Sequence, residues 1–288
     1  MRAGSILLAN ALNDSGLPVE ARVHYFGWPK DESIFEGVDM VVVYADAGGK
    51  FGKKYGVLDS LNRAGVALMF LHYGTHPTKS VGEKFYKKWL GGYYDDSSSV
   101  NSHWLADLTP KAGHPVSNGI DKPIKVLDEF YWNLNFLKSQ HRFALGTAIP
   151  TKDVMMSYGG PQFWNQEASD SLGVPQSLLF CHDAPEAGRG VGFTGGHYHH
   201  NWAIDGFRKL ILNAIVWSVR LDVPSNGVPS KSVNEDELNA NLNRPNERTR
   251  LELPSEGVFQ FEPANEPKLV KGGRTQAFWD RKNRMKKK

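Results

Sequence analysis

The side chains best suited to chemistry are concentrated in residues 194–202, which read TGGHYHHNW and place His197, His199 and His200 within four positions. Neutral imidazoles transfer protons near pH 7 and bind divalent metals. The apolar run at 190–194 predicts a strand, and a helical pattern starts at Asp205. The loop therefore lies at the carboxyl end of a strand, where ligands bind in open α/β sheets. The alternative is structural: His199 and His200 are half-exposed loop residues and His197 caps the helix.

Three further clusters can contribute to such a site. His72 begins the sequence HYGTHP after an apolar run at 66–72, and this second histidine loop should face the same rim of the sheet. His103 lies beside Trp104, and Glu129 lies in the sequence DEFYW at 128–132. A carboxylate and histidines from separate loops can form a metal site or an acid–base pair. Each cluster alone also fits a packed, hydrogen-bonded residue, and the nearby aromatic side chains fit either sugar stacking or a core.

Several sharper motifs are excluded. Residues 48–54, GGKFGKK, resemble a phosphate loop, but the glycines are too close together and no Ser or Thr follows the lysine. No G-x-G-x-x-G motif follows a predicted strand, as dinucleotide binding requires, and the G-x-S-x-G motif of serine hydrolases is absent from the sequence. The single cysteine, Cys181, excludes an internal disulfide framework and falls in a predicted buried strand, where a structural thiol is expected.

The elements that must position these residues alternate along the first 220 residues. Continuous apolar strands between helices predict a parallel sheet covered on both faces. Helices are predicted at 3–12, 55–64, 81–90 and 205–219, and strands at 19–26, 38–44, 66–72, 177–181 and 190–194. The segment 38–44 (VDMVVVY) is the clearest candidate for a buried strand. Residues 93–175 are less regular, with extended segments expected at 124–136 and 143–149.

Charge and composition change near the carboxyl end. The formal net charge of the chain is +3, yet residues 271–288 hold eight basic and one acidic side chain, which leaves −4 on residues 1–270. We therefore predict one domain over residues 1–223, followed by a linker and a loosely ordered basic tail over 224–288. A tail that binds nucleic acid is the less favoured alternative, and neither a nucleic-acid partner nor a membrane span is expected.

Several spaced motifs resemble the ThuA-like (trehalose utilisation) family. The main one is GVGFTGGHYHHNW from Gly190, followed by FRKLILNAIVWSV and VPSNGV. The others are GWP at 27–29, YADAGG at 44–49, the loop 72–76, GGYYDDSSSVNSHW at 91–104, and residues 128–132. The resemblance covers roughly residues 2–230 and implies a flavodoxin-like, doubly wound, mostly parallel sheet of the class I glutamine amidotransferase type.

The resemblance also indicates what has been lost relative to true amidotransferases. Those enzymes place a cysteine nucleophile in a turn after one strand and a His-x-Glu motif after a later strand. Here His72 takes the place of the thiol, and His197-Tyr198-His199 lacks the glutamate. Glutamine hydrolysis needs the thiolate and its paired base, so this activity is not expected.

Family members usually begin with a strand and a His/Glu-rich loop before the helix that starts here near Arg2. This chain lacks both, so we expect its sheet to lack the first strand, and a misplaced start is the preferred explanation. A cytoplasmic location follows if Met1 is the true start, and export follows if a signal peptide precedes it.

The resemblance implies carbohydrate catabolism, with a disaccharide, a glycoside or a keto derivative as the small-molecule partner. On this basis His197, Glu129 and His103 are the expected catalytic residues, and His72, His103 and His197 could hold one Zn-like divalent metal. Substrate contacts are expected from Trp104, Trp132, His199 and Asn201. The alternative is a non-catalytic sugar-binding module with a degenerate amidotransferase-like site.

Overall fold

The computed structural model describes residues 1–45, 51–152, 154, 166–246 and 248–251. Within these ranges the chain forms a seven-stranded sheet and a separate two-stranded ribbon. The elements of the first third are α1 Arg2–Asn13, β1 Met40–Val43, α2 Tyr55–Arg63, β2 Ala67–Leu71 and α3, which runs through Lys79–Val81, the π-helical turn Gly82–Tyr86 and Lys87–Trp89.

The remaining elements follow in chain order. They are β3 Gly92–Tyr93, β4 Val100–Pro110, β5 Ile124–Trp132, β6 Asn135–Phe136, β7 Arg142–Ala148, α4 Gln166–Asp170, β8 Gln176–His182, β9 Gly190–Phe193, α5 Asp205–Ser218 and α6 Glu235–Asn239. The helices expected at 3–12, 55–64, 81–90 and 205–219 are thus present with bounds shifted by one or two residues.

The large sheet has the order β1-β2-β9-β8-β7-β4-β5. β1, β2 and β9 are parallel to one another, whereas β8, β7, β4 and β5 are each antiparallel to the preceding neighbour. The expectation of a mostly parallel sheet therefore fits the half that contains β1, β2 and β9, and antiparallel pairing builds the other half. This mixed α/β architecture is consistent with a flavodoxin-like fold.

Strand β2 lies between two apolar layers, and all five of its residues are buried. Successive side chains of a strand point to opposite faces. Met69 and Leu71 accordingly join the core formed with α1 and α5, while Leu68 and Phe70 join an aromatic core with α2 and α3. Burial on both faces explains why this strand is a continuous apolar run rather than an alternating one.

Two strand predictions near the amino end need correction. Residues 19–26, predicted as a strand, contain no helix or strand, and Phe26 at their end has a φ of 70° and is 80% exposed. The segment 38–44 does form a strand, β1, but it lies at the edge of the sheet, so Val42 is 40% exposed instead of buried. Apolar composition alone does not distinguish an edge strand from a central one.

Strand β4 was not predicted, although it is the longest of the described strands. Its amino-terminal half carries Asn101, Ser102 and His103, which interrupt the apolar pattern. Ser102 and His103 are nevertheless buried, and β4 pairs with β5 along nine residue positions. Long-range pairing, rather than local alternation, determines this strand.

Part of the segment after Pro224 packs against the domain. Val228 and Leu238 are fully buried. The amino-terminal end of α6 is capped by reciprocal hydrogen bonds between Asn234 and Glu237. The basic cluster at 271–288 lies outside the described residues. Among the helices that the structure describes, none is both long enough and apolar enough to cross a bilayer.

Candidate functional site

Two histidine loops meet at one rim of the sheet. β2 and β9 are parallel neighbours with Leu71 opposite Phe193, so the loops that follow them leave the sheet side by side. His72 comes directly after β2 with a φ of 51°, a left-handed conformation that turns the chain sharply into the short helix His72–Thr75. His197 follows β9 after two glycines. The convergence of these loops thus follows from the order of the strands.

Strands β4 and β5 bring the other two site residues to this rim. His103 and Glu129 are direct partners in the antiparallel ladder, and side chains opposite each other share one face of a sheet. The next residue, Phe130, packs edge-to-face on Phe193 at the end of β9, with ring centroids 6.2 Å apart. This contact places the β4–β5 ladder beside the His197 loop.

The carboxylate of Glu129 meets two imidazoles. Its Oε2 atom lies 2.8 Å from Nδ1 of His197 and 3.3 Å from Nε2 of His72. The two imidazole nitrogens are 3.1 Å apart. The Glu129 and His72 side chains are about nine-tenths buried, whereas the His197 side chain is 40% exposed. His197 is therefore the member of the cluster that solvent or a ligand reaches most easily.

A second layer of polar contacts surrounds this cluster. Asn101 Nδ2 donates to Glu129 Oε1 at 2.5 Å, which directs the other carboxylate oxygen towards the imidazoles. His103 Nε2 lies 3.7 Å from the same Oε1 atom, and His103 Nδ1 is 2.7 Å from the Tyr198 hydroxyl. The four expected residues, His72, His103, Glu129 and His197, thus lie together.

The role of Asp128 was not predicted from the sequence. This fully buried carboxylate accepts hydrogen bonds from the backbone amides of Gly196, His197, Tyr198 and Glu129 at 2.6, 2.9, 3.2 and 2.9 Å. Asp128 thereby fixes the loop that carries His197. The sequence offered one signal for this role, the adjacent acids Asp128 and Glu129 within a mostly apolar segment. Two buried carboxylates each need their own hydrogen-bond donors, so the pair implies different partners for the two.

The proton affinities in the cluster follow from its contacts. Burial raises the pKa of Glu129, but its interactions with His197 and His72 outweigh burial and hold the pKa well below the usual range. Burial lowers the pKa of His197, but the hydrogen bond with Glu129 raises it above the ordinary value. Burial lowers the pKa of His103. The cluster thus contains a carboxylate that stays ionised and two histidines whose pKa values are shifted in opposite directions.

The four residues expected to contact substrate are buried or hydrogen-bonded within the protein. Trp132 is fully buried and Trp104 is 6% exposed, with its ring edge-to-face on Phe130. Asn201 is buried and donates to the carbonyl of Leu127, and Nε2 of His199 lies 2.6 Å from the carbonyl of Leu238. The described conformation therefore offers neither tryptophan ring as a stacking surface for a sugar.

The environment of the single cysteine, Cys181, does not favour a nucleophilic thiolate. Cys181 lies in β8 and is fully buried, and burial raises its pKa to about 12. A thiol in this environment stays protonated at neutral pH, whereas nucleophilic cysteines have lowered pKa values.

A mostly apolar cavity of about 230 Å³ lies next to the site but does not contain it. Leu8 and Leu12 of α1, Trp28 and Tyr44 are among its lining residues, and none of the four clustered residues is. Tyr44 connects the two regions, because its hydroxyl donates to the carbonyl of Gly196.

The chain matches one family model and is similar to solved structures at low sequence identity. The family model described as "ThuA: Trehalose utilisation" matches residues 29–218. A ThuA-like protein from Parabacteroides merdae aligns with a TM-score of 0.49 and 16% identity, over 90% of this chain and 92% of that one. A cytoplasmic protein from Salmonella typhimurium aligns with a TM-score of 0.47 and 13% identity, over 75% and 87%. A search of the curated proteins finds no match.

Proposed function

Because the chain belongs to the ThuA (trehalose utilisation) family, we propose that it acts on a carbohydrate: a disaccharide, a glycoside or a keto derivative of one. The observation that carries the proposal is the convergence of Glu129 with His72 and His197 at the rim of the sheet, within 2.8–3.3 Å. A module that only binds a sugar needs no such set of titratable side chains.

The reaction class follows from the side chains present. Glu129, His197 and His103 are the groups that can accept and return protons, and His197 is the exposed member. With a keto sugar, removal of the proton next to the carbonyl gives an enediolate, which leads to isomerisation or to elimination of a neighbouring substituent. Glutamine hydrolysis is not proposed, because the position of the nucleophile holds His72.

Substrate conversion by the purified full chain is the direct test. The protein is incubated with trehalose, with simple glycosides and with their keto derivatives, and the products are followed by NMR in D₂O. Incorporation of deuterium next to the carbonyl, with formation of an isomerised or eliminated product, is the expected result. Saturable binding of a sugar with no deuterium exchange and no product would contradict the proposal and favour the binding module.

A further inference from the structure

Every hydrogen bond of His72 constrains where its protons lie. His72 Nδ1 is 3.2 Å from the backbone carbonyl of Thr194. A carbonyl oxygen only accepts, so Nδ1 carries the hydrogen, and in the neutral ring Nε2 presents a lone pair. This nitrogen faces the Glu129 carboxylate at 3.3 Å and His197 Nδ1 at 3.1 Å. The hydroxyl of Tyr131 is a further neighbour at 3.4 Å, long for a hydrogen bond.

The result is three potential electron-pair donors within 3.3 Å of one another. A neutral imidazole nitrogen and a carboxylate oxygen at this distance repel each other unless a proton or a metal ion lies between them. His72, Glu129 and His197 each offer one ligand atom, and the three atoms lie within 4.8 Å of one another. A hydrogen on His197 Nδ1 can be shared between its two neighbours, whereas one metal ion would satisfy the lone pairs of all three atoms.

We propose that His72 Nε2, Glu129 Oε2 and His197 Nδ1 bind one divalent first-row ion of the Zn²⁺ type. Their separations of 2.8, 3.1 and 3.3 Å are close to the roughly 3.0–3.4 Å between ligands that each lie about 2.1 Å from one ion. Two histidines and one glutamate form a ligand set of catalytic zinc sites, in which a further coordination position stays open for water or substrate.

The surroundings of the three ligands have the form of an outer coordination shell. Metal-binding histidines generally donate their second ring N–H to a carbonyl or carboxylate, and binding carboxylates are themselves hydrogen-bonded. Thr194 supplies that carbonyl to His72, and Asn101 supplies the donor to Glu129. His103, which the sequence placed in the ligand set, instead lies beside the outer carboxylate oxygen, Oε1.

The ion deepens the proposed function and rests on the same site. With the ion bound, Glu129 and His197 would serve as ligands, and the proton transfer proposed above would fall to His103, the third of the three groups, together with the hydroxyl of Tyr198 that it contacts. The exposed side of the cluster, at His197, is where a sugar hydroxyl or carbonyl oxygen would complete the coordination of the ion.

Metal binding can be measured without any sugar. The purified full chain is treated with a chelator, dialysed and titrated with Zn²⁺ against a chromophoric competitor, and Co²⁺ is added in parallel for its visible spectrum. We expect one ion per chain, a Co²⁺ spectrum of low coordination number, and a higher Tm with Zn²⁺. Glu129→Gln and His72→Ala should each weaken Zn²⁺ binding on the order of 100-fold or more.

His76→Asn is the matched control. His76 belongs to the same loop as His72 and pairs with Asp96 at 3.0 Å, but it is outside the three-residue set. This variant should bind Zn²⁺ as the parent does, and circular dichroism checks that every variant is folded. Absence of stoichiometric binding by the folded parent, or equal affinity in the Glu129→Gln and His72→Ala variants, would overturn the metal site. A bound ion without any sugar conversion would instead refute only the proposed function.

Discussion

Asp128 and His197 are joined through the backbone: Oδ1 of Asp128 accepts the amide hydrogen of His197 at 2.9 Å, while the imidazole of His197 contacts the neighbouring Glu129. Two consecutive acidic residues of β5 therefore have different tasks. Asp128 holds the loop, and Glu129 holds the side chain that the loop presents.

The Asp128→Asn variant should be less stable and nearly inactive. The amide cannot accept all the backbone hydrogen bonds that the carboxylate accepts, and each buried N–H left without a partner costs about 1–3 kcal/mol. Urea denaturation gives the change in the free energy of unfolding, and the keto-sugar assay gives the change in activity. Asp107→Asn, at an exposed position of β4, is the control and should leave both values near those of the parent.

The His197→Ala variant should fold normally and lose turnover. Its side chain is partly exposed, so little packing is lost, whereas loss of a group that transfers a proton or holds an ion lowers kcat on the order of 10²–10⁴-fold. The measurement is kcat beside a thermal unfolding curve. His141→Ala, in the loop before β7, serves as the comparison, and equal turnover in both variants would remove His197 from the mechanism.

The Gly196→Ala variant tests whether loop geometry matters separately from stability. Gly196 has a φ of 103° in the loop that Asp128 holds, and Gly16 has a φ of 76° after α1, with open space around it. An alanine at either position should cost on the order of 1–2 kcal/mol, because L residues are strained at positive φ. Only Gly196→Ala should also lower kcat, and a similar loss of kcat in Gly16→Ala would indicate a general effect of lowered stability.

The stability of the protein should fall as the pH falls from about 6.5 towards 4, in part through His114. Burial, followed by the charges of Lys111 and Arg189, lowers the pKa of His114 from the ordinary 6.5 to about 4 in the folded protein. The unfolded chain therefore binds the proton first, so the stabilising contribution of neutral His114 is complete above pH 6.5 and is lost through this window.

His114→Asn provides the matched variant. Nδ1 of His114 accepts from the amide of Val116, and asparagine can replace this cap with an oxygen that does not titrate. The free energy of unfolding, measured from pH 7.5 to 4.5, should fall less steeply in the variant. Parallel curves for parent and variant would mean that His114 does not contribute to the pH dependence.

The local pattern of apolar residues was sufficient to predict those helices and strands whose own residues determine them. The buried strand β2 and the helix α5 were predicted to within two residues, because continuous apolar runs and three-to-four-residue spacing reflect burial directly. The strand β4 was not predicted, because its pairing with β5, a partner distant in sequence, holds it extended although its amino-terminal half is polar.

The sequence by itself determined which side chains could do chemistry and that two histidine loops follow strands, since both depend on residue type and on local periodicity. Only the tertiary structure decided which carboxylate and which histidines meet. Asp128 and Glu129 are neighbouring carboxylates whose roles the local sequence does not distinguish. For the same reason His72 and His103 were equally plausible ligands. The pairing of β4 with β5 and the adjacency of β2 and β9 direct Glu129 to the imidazoles of His72 and His197 and leave His103 in the outer layer. Distances between residues far apart in sequence depend on packing, which no local pattern contains.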